Sequence, residues 1–388
     1  MGKPTTYVFA GGASGGHLFP GLAVAEELRA RNRQIKIVFI GSERGIEREI
    51  VREHNCQHEP LPVEPSTMFR RNPVRFLWRN WQARNRAAAL LDALQPAAVV
   101  GLGGFASVPV VMAASSLRIP TILLEQNIVP GRATRWLSSR ASLICLSFDK
   151  VHGRLASGAP TSVTGHSAGN QIAALRSRSQ SIARHDAPTL LILGGSQGAT
   201  AVNEMALGAI EKLHQPVMGA TGVSPVQISD WTIMHQTGAA QHDEIARRYA
   251  ELGIQAETAP FFTDMPRRYA QATLAITRGG ATSLAELAVV GVPAVIVPSP
   301  NSLGDHQRLN AQFYEAGGAA RIVEQQRRLS DSIAAMTDAI SELATDPHRV
   351  CAMGDAMHAL GKPHAAAAIA DELLQRTVGQ HVEQRRSA

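Results

Sequence analysis

One grammar is written twice along this chain, and it constrains the fold more than any other feature: a short apolar run, a turn made mostly of glycine, then a helical pattern. Tyr7-Val8-Phe9 enters Ala10-Gly11-Gly12-Ala13-Ser14-Gly15-Gly16-His17 and a helix-like stretch from Leu18 to Arg31. Thr189-Leu190-Leu191-Ile192-Leu193 enters Gly194-Gly195-Ser196-Gln197-Gly198-Ala199 and a helix from Val202 to Leu213. Parallel strands buried on both faces are apolar throughout and need helical crossovers, so each occurrence opens a doubly wound unit. Glycines in the turn let backbone approach a ligand, and the helix N-terminus behind offers N–H groups to an anion. The same turn also serves only to pack helix on sheet, and from the first loop alone both uses stay open.

Apolar runs alternate with helical patterns over most of the remaining chain. Strands are predicted at Tyr7 to Ala10, Ile35 to Ile40, Ala97 to Gly101, Thr121 to Glu125 and Ser142 to Ser147, with helices near Leu22 to Arg31, Val74 to Leu94 and Ser107 to Leu117. After Thr189 to Leu193, strands are predicted at Thr232 to Gln236, Gln255 to Ala259, Leu274 to Thr277, Ala294 to Val297 and Ala320 to Val323. Gly153 to Asp186, rich in Ser, Gly, Ala and Arg, reads as a linker, and Gln215 to Asp230 as an insertion without an element of its own. The fold class is α/β: two Rossmann-like doubly wound domains, 1–165 and 188–360, a linker over 166–187, and a C-terminal segment 361–388. That last segment is helical in period from Ala365 to Leu374, is expected to pack back on the first domain, and frays from Gly379. A ligand cleft is expected where the carboxyl ends of the two sets of strands face each other.

The 388 residues suffice for two cores. Cys56, Cys145 and Cys351 have neither disulfide nor metal spacing, which fits a reducing compartment. No window holds the roughly 18 apolar residues of a spanning helix, and the start lacks a signal pattern, so a cytoplasmic protein is expected. The net charge of +6 points to an acidic partner. Between Met68 and Arg86, six arginines alternate with Phe69, Phe76, Leu77, Trp78 and Trp81. With Pro73 starting a helix, Val74, Leu77, Trp78 and Trp81 share one face, which suits core packing with a solvated basic face behind it. Phe69, Arg70, Arg71, Arg75, Phe76 and Arg79 also suit contact with an anionic membrane surface, and no nucleic-acid partner is expected.

The densest chemistry lies in Thr277-Arg278-Gly279-Gly280-Ala281-Thr282-Ser283-Leu284-Ala285-Glu286. A strand ends, glycines turn, and a helix begins whose first N–H groups, with the Thr282 and Ser283 hydroxyls, suit a diphosphate; the alternative is an ordinary helix cap. Glu286, one turn in, suits a ribose diol. Asp305-His306-Gln307 with Asn310 suits sugar hydroxyls, and the Asp-His pair lacks a third metal ligand, so no metal is predicted. In the first half, Gly101-Leu102-Gly103-Gly104-Phe105 and Glu125-Gln126-Asn127 follow strand ends and are expected to face the same cleft as His17.

Taken together, AGG…GGHLFPG, GLGGF, EQN, GGSQGA, HQTG, TRGGATSLAE, GVPAVIVP and DHQRLNA resemble the MurG family of N-acetylglucosaminyltransferases, from Phe9 to Ala311. The resemblance implies a GT-B fold and inverting transfer of N-acetylglucosamine from UDP-N-acetylglucosamine to a polyprenyl-linked muramoyl-pentapeptide, without metal or cofactor. It implies donor binding by Ser14, Gly15, Gly16, Asn127, Ser196, Gln197, Phe262, Ala281, Thr282, Ser283, Glu286 and Gln307. Gly12, His17, Gly103, Gly104, Phe105, Glu125 and Gln126 would take the acceptor, with His17 as base or positioner. A peripheral place on the inner face of the plasma membrane follows from the acceptor's lipid.

Four departures stand out. Ala13-Ser14 replaces a single Thr of the family's GGTGGH loop, Phe105 stands where Tyr is usual, and Gly165-His166-Ser167-Ala168-Gly169-Asn170 replaces Gly-Asn-Pro-Val-Arg; the segment Gln215 to Asp230 is the fourth. Rival readings are a UDP-sugar epimerase, another lipid glycosyltransferase or a non-catalytic UDP-sugar-binding subunit. A nicotinamide oxidoreductase is disfavoured because the second strand runs Ile40-Gly41-Ser42, without the acidic residue that holds the ribose.

Overall fold

The computed structural model describes residues 5–12, 15–151, 155–156, 158–176, 187–194, 199–214 and 228–386. The chain divides into two compact units, residues 1–170 with 362–388, and residues 171–361. In the first unit seven strands form one parallel sheet: β1 (Thr6–Gly11), β2 (Lys36–Ser42), β3 (Gln57–Leu61), β4 (Ala98–Gly103), β5 (Thr121–Glu125), β6 (Leu143–Leu146) and β7 (Thr161–Val163). Their order is β3-β2-β1-β4-β5-β6-β7. The crossovers carry α1 (Gly15–Arg31), α2 (Gly45–Glu53), α3 (Thr67–Arg71), α4 (Pro73–Leu94), α5 (Gly104–Ser116) and α6 (Arg132–Leu137).

Strand periodicity sorts the core. Tyr7 and Phe9 of β1 lie with Leu18, Leu22 and Leu28 of α1 on one face, while Val8 and Ala10 lie with Ala83, Ala87 and Leu91 of α4 on the other. Both faces are covered, which is why β1, β4 and β5 are apolar along their length. β3 and β7 were not anticipated from the sequence. Both sit at sheet edges, where pairing on one side tolerates Gln57, Glu59, Pro60 and the exposed Thr161, and β7 falls inside the stretch read as linker.

Helix α4 begins as its sequence predicts: Asn72 Oδ1 accepts the Arg75 N–H at 3.0 Å, and Pro73 occupies the first turn. Its buried residues, however, are Ala83, Ala87 and Leu91. Val74, Leu77, Trp78 and Trp81 are 76, 60, 55 and 60% exposed, so the core-packing reading of that stripe is overturned. The two stripes lie roughly 130° apart at 100° per residue, and one helix cannot bury both against a single sheet.

A short helix α7 (Asn170–Ala173) precedes the second sheet, in which β8 (Thr189–Leu193), β9 (Thr232–Gln236), β10 (Ala256–Ala259), β11 (Leu274–Thr277), β12 (Ala294–Ile296) and β13 (Ala320–Ile322) run parallel in the order β10-β9-β8-β11-β12-β13. Its helices are α8 (Thr200–His214), α9 (His242–Glu251), α10 (Met265–Gln271), α11 (Ala281–Val290), α12 (His306–Ala316), α13 (Leu329–Ala344) and α14 (Pro347–Leu360). Met205 and Ile210 of α8 meet Met336 and Ile340 of α13 in this unit's core. Of the segment read as an insertion, 215–227 lies outside the described residues; Ile228–Asp230 forms a 3-10 turn whose Ile228 is buried in that core.

The last helix, α15 (Ala365–Arg386), belongs to the first unit, where Ala366, Ile369, Ala370 and Leu373 join the core and Tyr7 Oη lies 3.0 Å from Thr377 Oγ1. It runs through Gly379 to Arg386, past the predicted fraying point; one glycine inside a helix costs only about 1 kcal/mol. Among the described residues no helix is long and apolar enough to cross a membrane. In each sheet the strand order reverses between the unit's first and fourth strands, and there the carboxyl ends of β1 and β4, and of β8 and β11, open a crevice.

Candidate active site

In the first unit, β1 ends in Gly11 and Gly12, at φ 131° and 146°. A Cβ on Gly12 would come within 2.6 Å of Glu47 Oε2, so this position accepts glycine alone. Ala13 and Ser14, the lengthened part of the loop, lie outside the described residues. The backbone of α1 starts at Gly15 and Gly16, and His17 follows in its first turn. The His17 ring lies on the turn between β4 and α5: a Cβ at Gly103 would be 3.2 Å from its Nδ1, and one at Gly104 3.4 Å from its Cδ2. Both glycines have positive φ, 90° and 69°. Gln126 Oε1 is 3.8 Å from the same Gly103 position, and Gln126 Nε2 donates to the Leu102 carbonyl at 3.2 Å. Gly12, His17, Gly103, Gly104 and Gln126 are thus brought together, with Phe105 next in sequence at the start of α5.

Glu125 plays a different part from the one expected of it. It is buried; Oε1 accepts the Asn127 N–H at 3.0 Å, and Oε2 accepts the Gly131 N–H at 2.9 Å at the start of α6. Its carboxylate organises the loop that carries Asn127, since backbone N–H groups of a strand-end loop take a nearby acid as acceptor.

Three residues near this site carry no motif. Glu47 is buried and accepts both the Ser42 N–H, at 2.9 Å, and the Ser42 hydroxyl. Arg44, the N-cap of α2, places its guanidinium carbon 5.7 Å from the centroid of the Phe105 ring. His166 is buried and electrostatically coupled to His17; burial pushes it down to about 4, against a smaller upward pull from the Ser167 backbone, and keeps it neutral at pH 7. Ser167 Oγ donates to the Pro20 carbonyl at 3.0 Å, pinning α1 one turn beyond His17. The departure of residues 165–170 from the family pattern is the only sequence signal for His166 and Ser167.

In the second unit, Gly195 to Gly198 lie outside the described residues, and with them Ser196 and Gln197. The turn after β11 is described in full. Gly280 is the N-cap of α11 and has no side chain with which to cap it, so Ala281 opens a helix whose N-terminal dipole is available to an anion; Thr282 and Ser283 are half-buried in its first turn. A Cβ on Gly279 would collide with the Gln307 carbonyl at 2.2 Å, and Asn310 Nδ2 donates to the Gly279 carbonyl at 3.1 Å. This close approach seats the N-terminus of α12 beside the turn. Gln307 Oε1 accepts the Ser299 N–H at 2.9 Å, which orients the carboxamide. Asp305 precedes it at φ 57°, a left-handed backbone unusual for a non-glycine residue. Among the described residues no group of three His, Cys, Asp or Glu is arranged to hold a metal.

Glu286 accepts a 2.8 Å hydrogen bond from the Tyr269 hydroxyl. Burial raises its carboxyl to about 7, and the tyrosine's hydrogen bond pulls in the opposite direction. Phe262 is buried, its N–H donates to Gln236 Oε1 at 2.9 Å, and the Arg268 guanidinium lies 4.4 Å above its ring. The Phe262 N–H is thus engaged within the protein, by Gln236. Arg268 is itself fixed by Asp264 Oδ1 at 3.0 Å and by both Glu257 oxygens. Deeper in, His235 bridges Tyr249 Oη at 3.0 Å and Asn203 Oδ1 at 3.1 Å, and Asn203 Nδ2 reaches the Thr237 carbonyl at 2.7 Å. The motif HQTG is therefore a buried scaffold, and Gln236 reaches the site through Phe262.

Residues 7–145 match the glycosyltransferase family 28 N-terminal domain, and residues 189–371 match the glycosyltransferase family 28 C-terminal domain. A protein of Geobacter sulfurreducens named UDP-N-acetylglucosamine--N-acetylmuramyl-(pentapeptide) pyrophosphoryl-undecaprenol N-acetylglucosamine transferase is 34% identical, covering 95% of this chain and 98% of its own. A protein of the same name from Rhodospirillum centenum is 37% identical over 95% of this chain and 93% of its own. The crystal structure of Acinetobacter baumannii MurG superposes with a TM-score of 0.74 at 27% identity, covering 96% of this chain and 100% of that one.

Proposed function

The chain belongs to glycosyltransferase family 28, with the MurG transferases among its relatives and a GT-B fold of two Rossmann-like units; from that membership we propose that it transfers N-acetylglucosamine from UDP-N-acetylglucosamine to undecaprenyl-pyrophosphoryl-muramoyl-pentapeptide, with inversion, in the synthesis of the peptidoglycan that walls growing and dividing cells. The observation that carries the reading is the His17 ring lying on the Gly103–Gly104 backbone at the strand-order reversal of the first unit. A titratable nitrogen at that crevice, beside turns that admit only glycine, suits an acceptor hydroxyl next to a diphosphate.

On the second unit, the N-terminus of α11 with Thr282 and Ser283 takes the donor's diphosphate, Glu286 the ribose diol, Phe262 the base, and Gln307 the sugar. Ser196 and Gln197 complete the diphosphate contacts, and Ser14, Gly15, Gly16 and Asn127 attend the donor sugar. In the reaction the acceptor oxygen attacks the anomeric carbon from the face opposite UDP. Its proton passes to His17, and the bond to the diphosphate oxygen breaks with its electron pair leaving on UDP. The dipole of α11 stabilises that developing charge.

The acceptor's lipid keeps the substrate at a membrane, and the exposed stripe Val74, Leu77, Trp78 and Trp81, with half-exposed Phe69 stacked edge-on at 5.5 Å against Phe76, supports docking of the first unit on the cytoplasmic face. Arg70 and Arg71 are the cations that meet anionic headgroups. Arg75 and Arg79 are also ion-paired: Arg75 Nη2 lies 2.9 Å and Arg79 Nε 3.4 Å from the buried Glu64, and Arg79 Nη2 lies 2.8 Å from Glu43. These ion pairs brace the start of α4.

The test is transfer of labelled sugar from UDP-N-acetylglucosamine to the muramoyl-pentapeptide lipid in neutral detergent with a chelator present. Label in the lipid supports the reading. Tight UDP-N-acetylglucosamine binding with no label in the lipid contradicts it and favours a non-catalytic binding subunit.

A further inference from the structure

The half of α4 that carries the exposed stripe is not held by burial. Between Pro73 and Gln82 no residue is buried, α3 buries none either, and the helix enters the core only at Ala83. A polar cluster holds this half instead. Glu64, in the loop after β3 and with its side chain only 10% exposed, accepts from Arg75 Nε at 3.1 Å and Arg75 Nη2 at 2.9 Å. Arg79 Nε lies 3.4 Å from the same oxygen, and Asn80 Nδ2 donates to the Glu64 carbonyl at 3.3 Å. The other edge of Arg79 turns to the neighbouring loop, where Nη2 donates to Glu43 Oε2 at 2.8 Å.

Both loops leave the carboxyl ends of strands, β2 and β3, on the edge of the sheet where β1 and β4 open the crevice. Glu43 directly follows Ser42, whose N–H and hydroxyl are bound by Glu47, and a Cβ on Gly12 would meet the same Glu47 carboxylate at 2.6 Å. Contacts therefore run from this half of α4, through Arg79 and Glu43, to the first glycine turn. A guanidinium with one edge on each of two carboxylates fixes a direction as well as a distance, because its donors are held in one plane. An exposed ion pair alone contributes little, but Glu64 is buried, and taking its arginines away leaves a buried charge without partners. We propose that Glu64 and Glu43, through Arg79, are positioning residues that hold the membrane-facing stripe of α4 at a fixed place relative to the first glycine turn, so that an acceptor still seated in a bilayer reaches the crevice. The inference rests on the membrane-borne acceptor proposed above and names what aligns the two.

The experiment uses the full chain, with Glu43→Gln and Glu64→Gln combined, which keeps both side-chain shapes, and with Arg79→Lys, which keeps the charge but not the planar fork. Hydrogen exchange reads the brace without any chemistry: amides at 73–82 are expected to exchange at least tenfold faster in both variants, while those at 84–94 stay within twofold of wild type. Transfer by the double variant is then compared between the muramoyl-pentapeptide on undecaprenyl diphosphate in vesicles rich in anionic lipid and the same headgroup on a short, water-soluble polyprenyl chain. The double variant is expected to lose about tenfold in kcat/KM with the vesicle acceptor and to stay within twofold with the soluble one. Its sedimentation with the vesicles does not fall, since removing two acids cannot weaken attraction to an anionic surface, and this separates lost alignment from lost binding. Equal losses on the two acceptors, unchanged transfer to the vesicle acceptor, or exchange at 73–82 within twofold of wild type overturns the proposal. A wild type that transfers to neither acceptor, with exchange at 73–82 raised in the variants, supports the brace while refuting the proposed reaction.

Discussion

The Tyr269 hydroxyl donates a 2.8 Å hydrogen bond to Glu286 Oε2, and the burial that surrounds the pair holds the Glu286 carboxyl at about 7, above its ordinary 4.5. Only the ionised form accepts two ribose hydroxyls while already accepting one from tyrosine. KM for UDP-N-acetylglucosamine is therefore expected to rise as pH falls through 7. Tyr269→Phe removes the interaction that lowers the pKa and moves this limb to higher pH; a profile of donor KM from pH 5.5 to 9 that is flat in both proteins refutes the assignment.

The same shift has a consequence for stability with a definite sign. Because the folded pKa lies above the unfolded one, protonation favours the folded state: the contribution is fully present below about 4.5 and is lost as pH rises through about 7. Glu286→Gln escapes that loss. Relative to wild type it is expected to gain on the order of 2 kcal/mol between pH 5 and 8, while its donor KM rises at least tenfold. Denaturant melts of both proteins at the two pH values measure the difference.

His17 is expected to be the most sensitive position of the first unit. His17→Ala lowers kcat at least a hundredfold, the usual size of a general-base contribution, and His17→Gln, which keeps hydrogen-bonding capacity without the base, recovers less than a tenth of it. A drop within threefold, under about 0.7 kcal/mol of barrier, removes His17 from the chemistry.

Arg268 braces Phe262 from 4.4 Å while tied to Asp264 and Glu257, and that hydrogen bonding holds both carboxyls below their usual range. Arg268→Met retains bulk over the ring but frees the two acids. Donor KM is expected to rise about tenfold with kcat within twofold, the split that a positioning residue produces; equal changes in kcat argue against this role.

The exposed stripe on α4 separates two readings of one periodicity. Trp78→Gln with Trp81→Gln is expected to change Tm by no more than about 2 °C, whereas removing a buried tryptophan costs about 3–5 kcal/mol. Sedimentation with vesicles rich in anionic lipid should fall severalfold in the same variant. Loss of cooperative unfolding in this variant reinstates the core reading.

What the sequence disclosed follows from what each element packs against. β1, β2, β4, β5, β8, β9, β11 and β12 are legible because interior strands covered on both faces must be apolar, and the edge strands β3 and β7 are hidden because edge strands need not be, whereas the edge strands β10 and β13 are read from their alternation with helical patterns. The stripe on α4 is legible as a stripe, but periodicity does not say what covers it. GLGGF, EQN and TRGGATSLAE mark strand ends, so their places were readable, whereas Glu125 was assigned to a ligand because its bonds to Asn127 and Gly131 depend on the path of the loop. Arg44, Glu47 and His166 escaped notice for another reason: the pairing of β2 with β1 and the return of residues 165–167 to α1 bring them to the site, and no local pattern records those contacts.

Proton magnetic resonance on UDP-N-acetylglucosamine mixed with the protein, before and after the muramoyl-pentapeptide lipid is added, tests the central claim most directly. The account predicts no change in the sugar until the acceptor arrives, then one UDP released for each β-linked N-acetylglucosamine formed, with chelator present. Epimerisation of the sugar without acceptor, or intact donor after acceptor is added, contradicts it.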